Sequence, residues 1–271
     1  MVFHDAEKVM ANPDSGVQSV SRALTLLELL GQEEEGLRLS DLARAAGLAL
    51  STTHRLLTTL ELRGFAHFDG QGARWHVGRQ AFATGSAYLR RRHFTSPALP
   101  VLRRLRDQTR ETANLGILDG AEVVTLHQAE SREIVRAISP VGGRAPWHAS
   151  GMGKAIVAVW PDDQIGAMAA RHGLRPLTPR SLTTPDGLWA EIAVIRHRGY
   201  AVDDEEFVPG LRCVAAVVWS PSGEPACAIS VSAHAGRLTR QRVAAVGSIV
   251  VAAADALTRS LGGRRPDQAL P

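Results

Sequence analysis

At 271 residues and 45% apolar composition, the chain is long enough for two domains with real cores, and wholesale disorder is excluded. Only Cys213 and Cys227 are present, so a disulfide framework is ruled out. The formal charge is only +4, but eleven arginines face three acids between Ser51 and Arg110, while Met1 to Leu50 is net acidic. The basic character is local, as expected of a segment that meets a polyanion.

No apolar run approaches the eighteen or so residues of a bilayer span, and no membrane association is expected. The N-terminus lacks the basic start and apolar stretch of a signal peptide, so the expected location is the cytoplasm. Residues 1–16 read as a flexible tail without hydrophobic period. From Val17 a helical stripe begins, Val20, Ala23, Leu24, Leu27 and Leu30, and ends by Gly36. Ser40 is the expected cap of a second helix through Leu42, Ala45 and Ala46, which Gly47 stops. Ser51 is the expected cap of a third, running to about Arg63 with Leu56, Leu57 and Leu60 inward. Three helices, the last two joined by a tight Gly-containing turn, are the layout of a helix-turn-helix.

Strands are expected at Phe65–Phe68 and Arg74–Val77 around a Gly-rich turn, forming a wing. A helix from Gln80 to His93, striped by Ala81, Phe82, Gly85, Tyr88 and Leu89, reads as a linker ending before Pro97. Beyond it the pattern changes: a helix at Leu99–Thr109, strands near Ala113–Leu118, Val123–Gln128 and Ile134–Ile138, and helices at Gly153–Val159, Asp162–His172 and Asp186–Arg198. Strands at Leu211–Trp219 and Ala226–Ser232 and a helix at Arg240–Leu261 close the chain. The fold class is α+β, with an antiparallel sheet between helices in the second half. The expected boundaries are 1–16 (tail), 17–79 (winged helix-turn-helix), 80–97 (linker helix), 98–262 (effector domain) and 263–271 (tail).

In a helix-turn-helix, the exposed N-terminal residues of the second motif helix meet base edges. Here these are Ser51, Thr52, Thr53, His54 and Arg55, with Thr58 and Thr59 one turn on. Arg55 suits guanine, the hydroxyls suit bases or phosphates, and Arg63, Arg74 and Arg79 suit the backbone. The alternative is a packing domain whose polar face is only solvated. The turn, the wing and the basic skew agree on double-stranded DNA.

Four segments carry a family resemblance: SVSRALTLLELL; LSDLARAAGLALSTTHRLLTTLELRGF; PVGGRAPWHASGMGKA; and RGYAVDDEEFVPGLRCVAA with ACAISVSA. In this order and spacing the chain resembles the IclR-type transcriptional regulators from about residue 17 to 260. The resemblance implies a dimeric reader of a palindromic operator, a linker helix and a C-terminal GAF-like effector domain. It also implies a homodimer or a homotetramer built as a dimer of dimers.

Period-two geometry sends Ser230 and Ser232 to one side of the last strand, and Leu211, Cys213 and Ala215 share a face on its neighbour. The run Ala149-Ser150-Gly151-Met152-Gly153 precedes a helix, where glycines permit close approach and free N–H groups suit a carboxylate. Asp203 can accept hydrogen bonds from hydroxyls of the same ligand. Within the family, this pattern is similar to that of the glyoxylate-sensing branch, which includes regulators of glyoxylate assimilation and the β-hydroxyaspartate cycle. The carry-over lands on Gly151, Met152, Gly153, Asp203, Leu211, Cys213, Ser230 and Ser232. The implied effector is a small 2-oxo acid, glyoxylate first, with pyruvate or another short hydroxy or oxo acid as the alternative. Phe207, Val208 and Pro209 stand where some members carry His and smaller residues, and Trp147 is bulkier than the position often shows; both departures are expected to reshape the pocket mouth.

The rival function is a cysteine-dependent hydrolase built on Cys213, His148 and Asp203, but nothing local in the sequence activates the thiol. The ten histidines are scattered and give no close metal-ligand set, so no metal is expected. The glycines around 142–153 do not form a nucleotide loop, no cofactor is expected, and Lys154 reads as a helix-surface residue. A scaffold that binds DNA without a ligand is the third class, separated by whether an effector changes operator affinity.

Overall fold

In a computed structural model of the chain, residues 17–33, 35–90, 95–132 and 140–266 are described, in two units before and after residue 91. The expected tail 1–16, the end of the linker helix and the strand at Ile134–Ile138 lie wholly or partly outside the described residues.

In the first unit, α1 (Gln18–Leu30), α2 (Leu39–Ala45) and α3 (Leu50–Leu62) precede a hairpin of β1 (Ala66–Asp69) and β2 (Arg74–Val77), then α4 (Arg79–Arg90). Leu26, Leu30, Leu42, Leu57, Ala66 and Trp75 form the core, with Leu56 and Leu60 packed against it. The α1 stripe read from the sequence is corrected. Leu26 and Leu30 carry the core contact, whereas Val20 and Leu24 are 55% and 53% exposed. The caps are corrected too. Extended Arg38 and Ala49 precede α2 and α3 without side-chain caps, and Ser40 and Ser51 lie one residue inside their helices. Gly47, at φ +64°, makes the turn between them, a conformation that suits a residue without Cβ. The hairpin turn is held by Asp69, whose carboxylate accepts the N–H groups of Gln71 and Gly72 at 3.0 and 3.1 Å.

Among the described residues, the second unit is a six-stranded antiparallel sheet flanked by helices. Its order is β5 (Arg144–Pro146), β4 (Glu122–Ala129), β3 (Thr112–Asp119), β8 (Pro225–His234), β7 (Leu211–Trp219), β6 (Ala201–Asp204). The short edge strands β5 and β6 were not expected from the sequence. Alternation divides the strands between two layers. Ala113, Leu115, Val214, Val231 and Ile229 share the face covered by α5 (Thr95–Thr109) and α9 (Arg240–Ser260). α5 begins earlier than expected because Pro97 falls in the first turn, where a missing N–H costs nothing. α9 is apolar and long enough to cross a bilayer by length and composition. Its Val246, Val250, Ala254 and Leu257 are buried in this layer.

The other face carries Cys213, Ala215, Ala228, Ser230 and Ser232 and is covered by α6 (Gly151–Val157). α7 (Asp162–His172) and α8 (Pro185–Arg198) complete that layer through Ile165, Leu188, Ile192 and Ile195. The candidate cavity lies between α6 and this face.

Candidate DNA-reading helix and effector cavity

On α3, Ser51, His54, Arg55, Thr59 and Arg63 are exposed, and Thr52 and Thr58 are half-buried. Thr53 is corrected: its side chain is wholly buried, and its hydroxyl donates to the Ala49 carbonyl at 3.1 Å, so it faces the core. Thr58 and Thr59 donate to the carbonyls of His54 and Arg55, each at 2.9 Å, so their oxygens remain acceptors on the helix surface. Arg74 is half-buried and donates to the Gly36 carbonyl at 2.8 Å, tying the wing to the loop after α1. Its first role is structural, which the sequence reading missed. Five of the eleven arginines of the basic segment, Arg92, Arg103, Arg104, Arg106 and Arg110, fall in the second unit.

In the second unit, one cavity of about 30 Å³ is lined by Ser150, Gly151, Met152, Asp203, Leu211, Cys213, Ser230 and Ser232. Asn114, Val123, Thr125, Ala145 and Phe207 complete it. Seven of the eight expected effector residues therefore line one space. Gly153 does not. A Cβ there would lie 2.4 Å from the Trp147 carbonyl oxygen, and its N–H is taken by the Ser150 hydroxyl at 3.4 Å. Its glycine is needed for packing and its N–H for capping. Trp147 is also corrected: it is buried in the α6–α8 core and is absent from the cavity wall.

Strand register explains the convergence. Cys213 stands opposite both Asp203 and Ser232, and Ser230 stands opposite both Ala215 and Asn114. The sequence reading missed Asn114, whose signal was a lone amide in an otherwise apolar strand. Its Nδ2 donates to Ser230 Oγ at 3.2 Å and Ser232 Oγ at 3.0 Å, and its Oδ1 accepts from Gln128 Nε2 at 2.9 Å. Each serine oxygen thus accepts from the amide and keeps its own proton to donate. Ser232 Oγ is also 2.9 Å from Cys213 Sγ.

Asp203 Oδ1 accepts the backbone N–H groups of Glu206 at 2.7 Å and Phe207 at 3.3 Å. Burial, then the neighbouring Glu206 charge, pushes its carboxyl up to about 7. Behind it lies a buried ion pair. Lys154 is 0% exposed, with Nζ 2.5 Å from Glu206 Oε1 and 3.5 Å from Glu191 Oε1. The expectation that Lys154 is a surface residue is therefore overturned, because two acids distant in sequence close over it. Glu191 is shared with Arg198 at 2.9 Å. Burial pushes Glu206 up, and Lys154 partly offsets this.

The hydrolase constellation is not assembled. His148 Nε2 pairs with the Arg175 carbonyl at 3.0 Å, and burial followed by the Asp203 charge pushes the Cys213 thiol far above its ordinary range. No group of three or more metal-ligating side chains occurs among the described residues.

The model of the IclR helix-turn-helix domain matches residues 19–70, and that of the bacterial transcriptional regulator IclR C-terminal domain matches residues 86–259. The chain belongs to the IclR family. This IclR-family regulator is 42% identical over 255 residues to the HTH-type transcriptional regulator BhcR of Paracoccus denitrificans, covering 94% of this chain and 91% of that one. It is 39% identical over 260 residues to the transcriptional repressor IclR of Escherichia coli K12, covering 95% of each. Among solved structures, an IclR homologue from Microbacterium hydrocarbonoxydans complexed with 4-hydroxybenzoate matches with a TM-score of 0.75 and 25% identity, over 90% of this chain and 98% of that one. The IclR-family regulator is thus a DNA-binding transcription regulator with a C-terminal effector-binding domain, and its relatives are regulators rather than enzymes.

Proposed function

We propose that this regulator senses a small 2-oxo acid, glyoxylate first and pyruvate second, in the cavity beneath α6, and that binding changes its affinity for a palindromic operator. The observation that carries the reading is the Asn114–Ser230–Ser232 cluster. An amide fixed by Gln128 turns both serine oxygens into acceptors and leaves the Ser230 proton, with that of Ser232 shared with Cys213 Sγ, to donate within a space of about 30 Å³, room for about two or three water-sized groups. Acceptor oxygens of a short acid suit such donors, and an aromatic ring would have to displace Phe207 or Leu211. Gly151 and Met152 precede the first i→i−4 bond of α6, made by Lys154 N–H to Ser150 O, so their N–H groups suit the ligand's carboxylate. The Microbacterium relative holds a carboxylic acid, which supports an acid as the effector class.

On the DNA side, Ser51, His54, Arg55, Thr58 and Thr59 present the reading face, Thr52 lies at its margin, and Arg63 contacts backbone phosphate. The apolar Val20 and Leu24 on α1 and the 78% exposed Phe82 on α4 are surfaces that a second copy would cover. They support a homodimer, or a dimer of dimers, on two half-sites.

The test is calorimetric titration of the full chain with glyoxylate and pyruvate, paired with a mobility shift on the gene's own upstream DNA. Saturable binding that shifts operator affinity is expected, and Ser230→Ala with Ser232→Ala should abolish it. Undiminished binding by that double variant would sink the assignment of the cavity.

A further inference from the structure

The cavity has a charge problem that its ligand must solve. Among the described residues none that lines it is Lys, Arg or His, and the carboxyl in its wall, Asp203, is buried at 1% exposure. The described cation that acts on Asp203, Lys154 on α6, is already matched: Glu206 takes its Nζ at 2.5 Å. Its second acid, Glu191 on α8, is bound in turn by Arg198. From β7 the facing group is the thiol of Cys213, and from β8 the hydroxyl of Ser232. Among the described residues, an anion entering this space meets a carboxyl and no free positive charge, a costly arrangement away from water.

Asp203 offers the way out. Its Oδ1 is occupied by two backbone N–H groups, which leaves Oδ2 for a ligand. Protonated there, Asp203 becomes a neutral donor and the site is charge-neutral before the anion arrives. We propose that the cavity accepts a monoanionic acid only together with one proton held by Asp203, and that pairing of Lys154 with Glu206 excludes dianions of the same size. This inference rests on the acid-sensing reading above and sharpens it to ligand charge. Asp203 titrates near neutrality because of burial and the Glu206 charge, so the proton is exchangeable under ordinary conditions.

The experiment is titration calorimetry of the full chain with glyoxylate at about pH 8, in phosphate and in Tris, whose ionisation enthalpies differ. The expected result is uptake approaching one proton per glyoxylate bound. Oxalate, with the same two carbons and a second charge, should bind at least about tenfold more weakly. Asp203→Asn should bind glyoxylate with an enthalpy independent of buffer. Glu206→Gln leaves the Lys154 charge unmatched, so the anion itself should supply the balance: proton uptake falls towards zero and oxalate becomes a ligand. Equal enthalpies in the two buffers with the unaltered chain, oxalate binding as tightly as glyoxylate, or full proton uptake by folded Glu206→Gln would each overturn the proposal while leaving the acid-sensing reading intact. Failure of both glyoxylate and pyruvate to bind would overturn that reading, and this inference with it.

Discussion

Lys154, wholly buried, places its ammonium 2.5 Å from the carboxylate of Glu206, 52 residues further along the chain. Removing one partner strands the other charge out of water. Lys154→Met is expected to cost about 3–5 kcal/mol, measured by denaturant unfolding. Combining it with Glu206→Leu should recover a substantial part of that loss, because no charge is then left without a partner.

Two glycines separated by a single residue should respond oppositely to the same change. At Gly151 a new Cβ would meet Ala215 and Cys213 at 3.5 Å, ordinary contact, while projecting toward the cavity side. Gly151→Ala should fold with stability within about 1 kcal/mol of the parent and lose effector binding. At Gly153 the Cβ would press into the Trp147 backbone at 2.4 Å, so Gly153→Ala should unfold at markedly lower temperature. Thermal melts with and without glyoxylate separate the two.

Asp203 gives stability a pH slope. Its native carboxyl is raised to about 7 from an ordinary 3.8, so between these values the native state holds a proton that the unfolded chain has released. Its contribution is therefore complete below the unfolded value and is lost as pH rises through about 7, by an amount on the order of a few kcal/mol. Asp203→Asn keeps an oxygen to accept the Glu206 and Phe207 N–H groups. Its melting temperature should change less between acidic and mildly alkaline buffer than that of the parent, with Glu206 contributing the residual slope.

On α3, position decides which hydroxyl matters. Thr53→Val keeps the shape of a buried side chain and should leave operator affinity near that of the parent. Arg55→Ala should weaken binding to the gene's own upstream DNA by about 1–3 kcal/mol if it reads a guanine. Arg63→Ala should weaken all sequences alike and reduce the salt dependence by about one charge. Equal effects of Thr53→Val and Arg55→Ala would show that this helix face is not the reading face.

Much of this was legible in one sequence because local rules act locally. Strand alternation put Ser230 and Ser232 on one side, and the turn at Gly47 located the reading helix. The caps were misplaced because backbone at Arg38 and Ala49, without side-chain help, starts the helices one residue before the nearby serines. The α1 stripe misled because Val20 and Leu24 have the same period as core residues, and periodicity does not say what a face packs against. Lys154 and Asn114 were hidden for another reason. Their partners, Glu206 and Ser230, lie 52 and 116 residues away, and only strand order and helix stacking bring them together.

β6 is four residues long, yet its last two side chains leave it in opposite directions. Asp203 forms part of the cavity wall, while Asp204 is gripped by Arg212 Nε at 2.6 Å, Arg180 at 3.1 Å and, at the first residue of α9, Arg240 at 2.6 Å. The strand thus joins the ligand's space on one side to the start of α9 on the other, with a single peptide bond between the two anchor points.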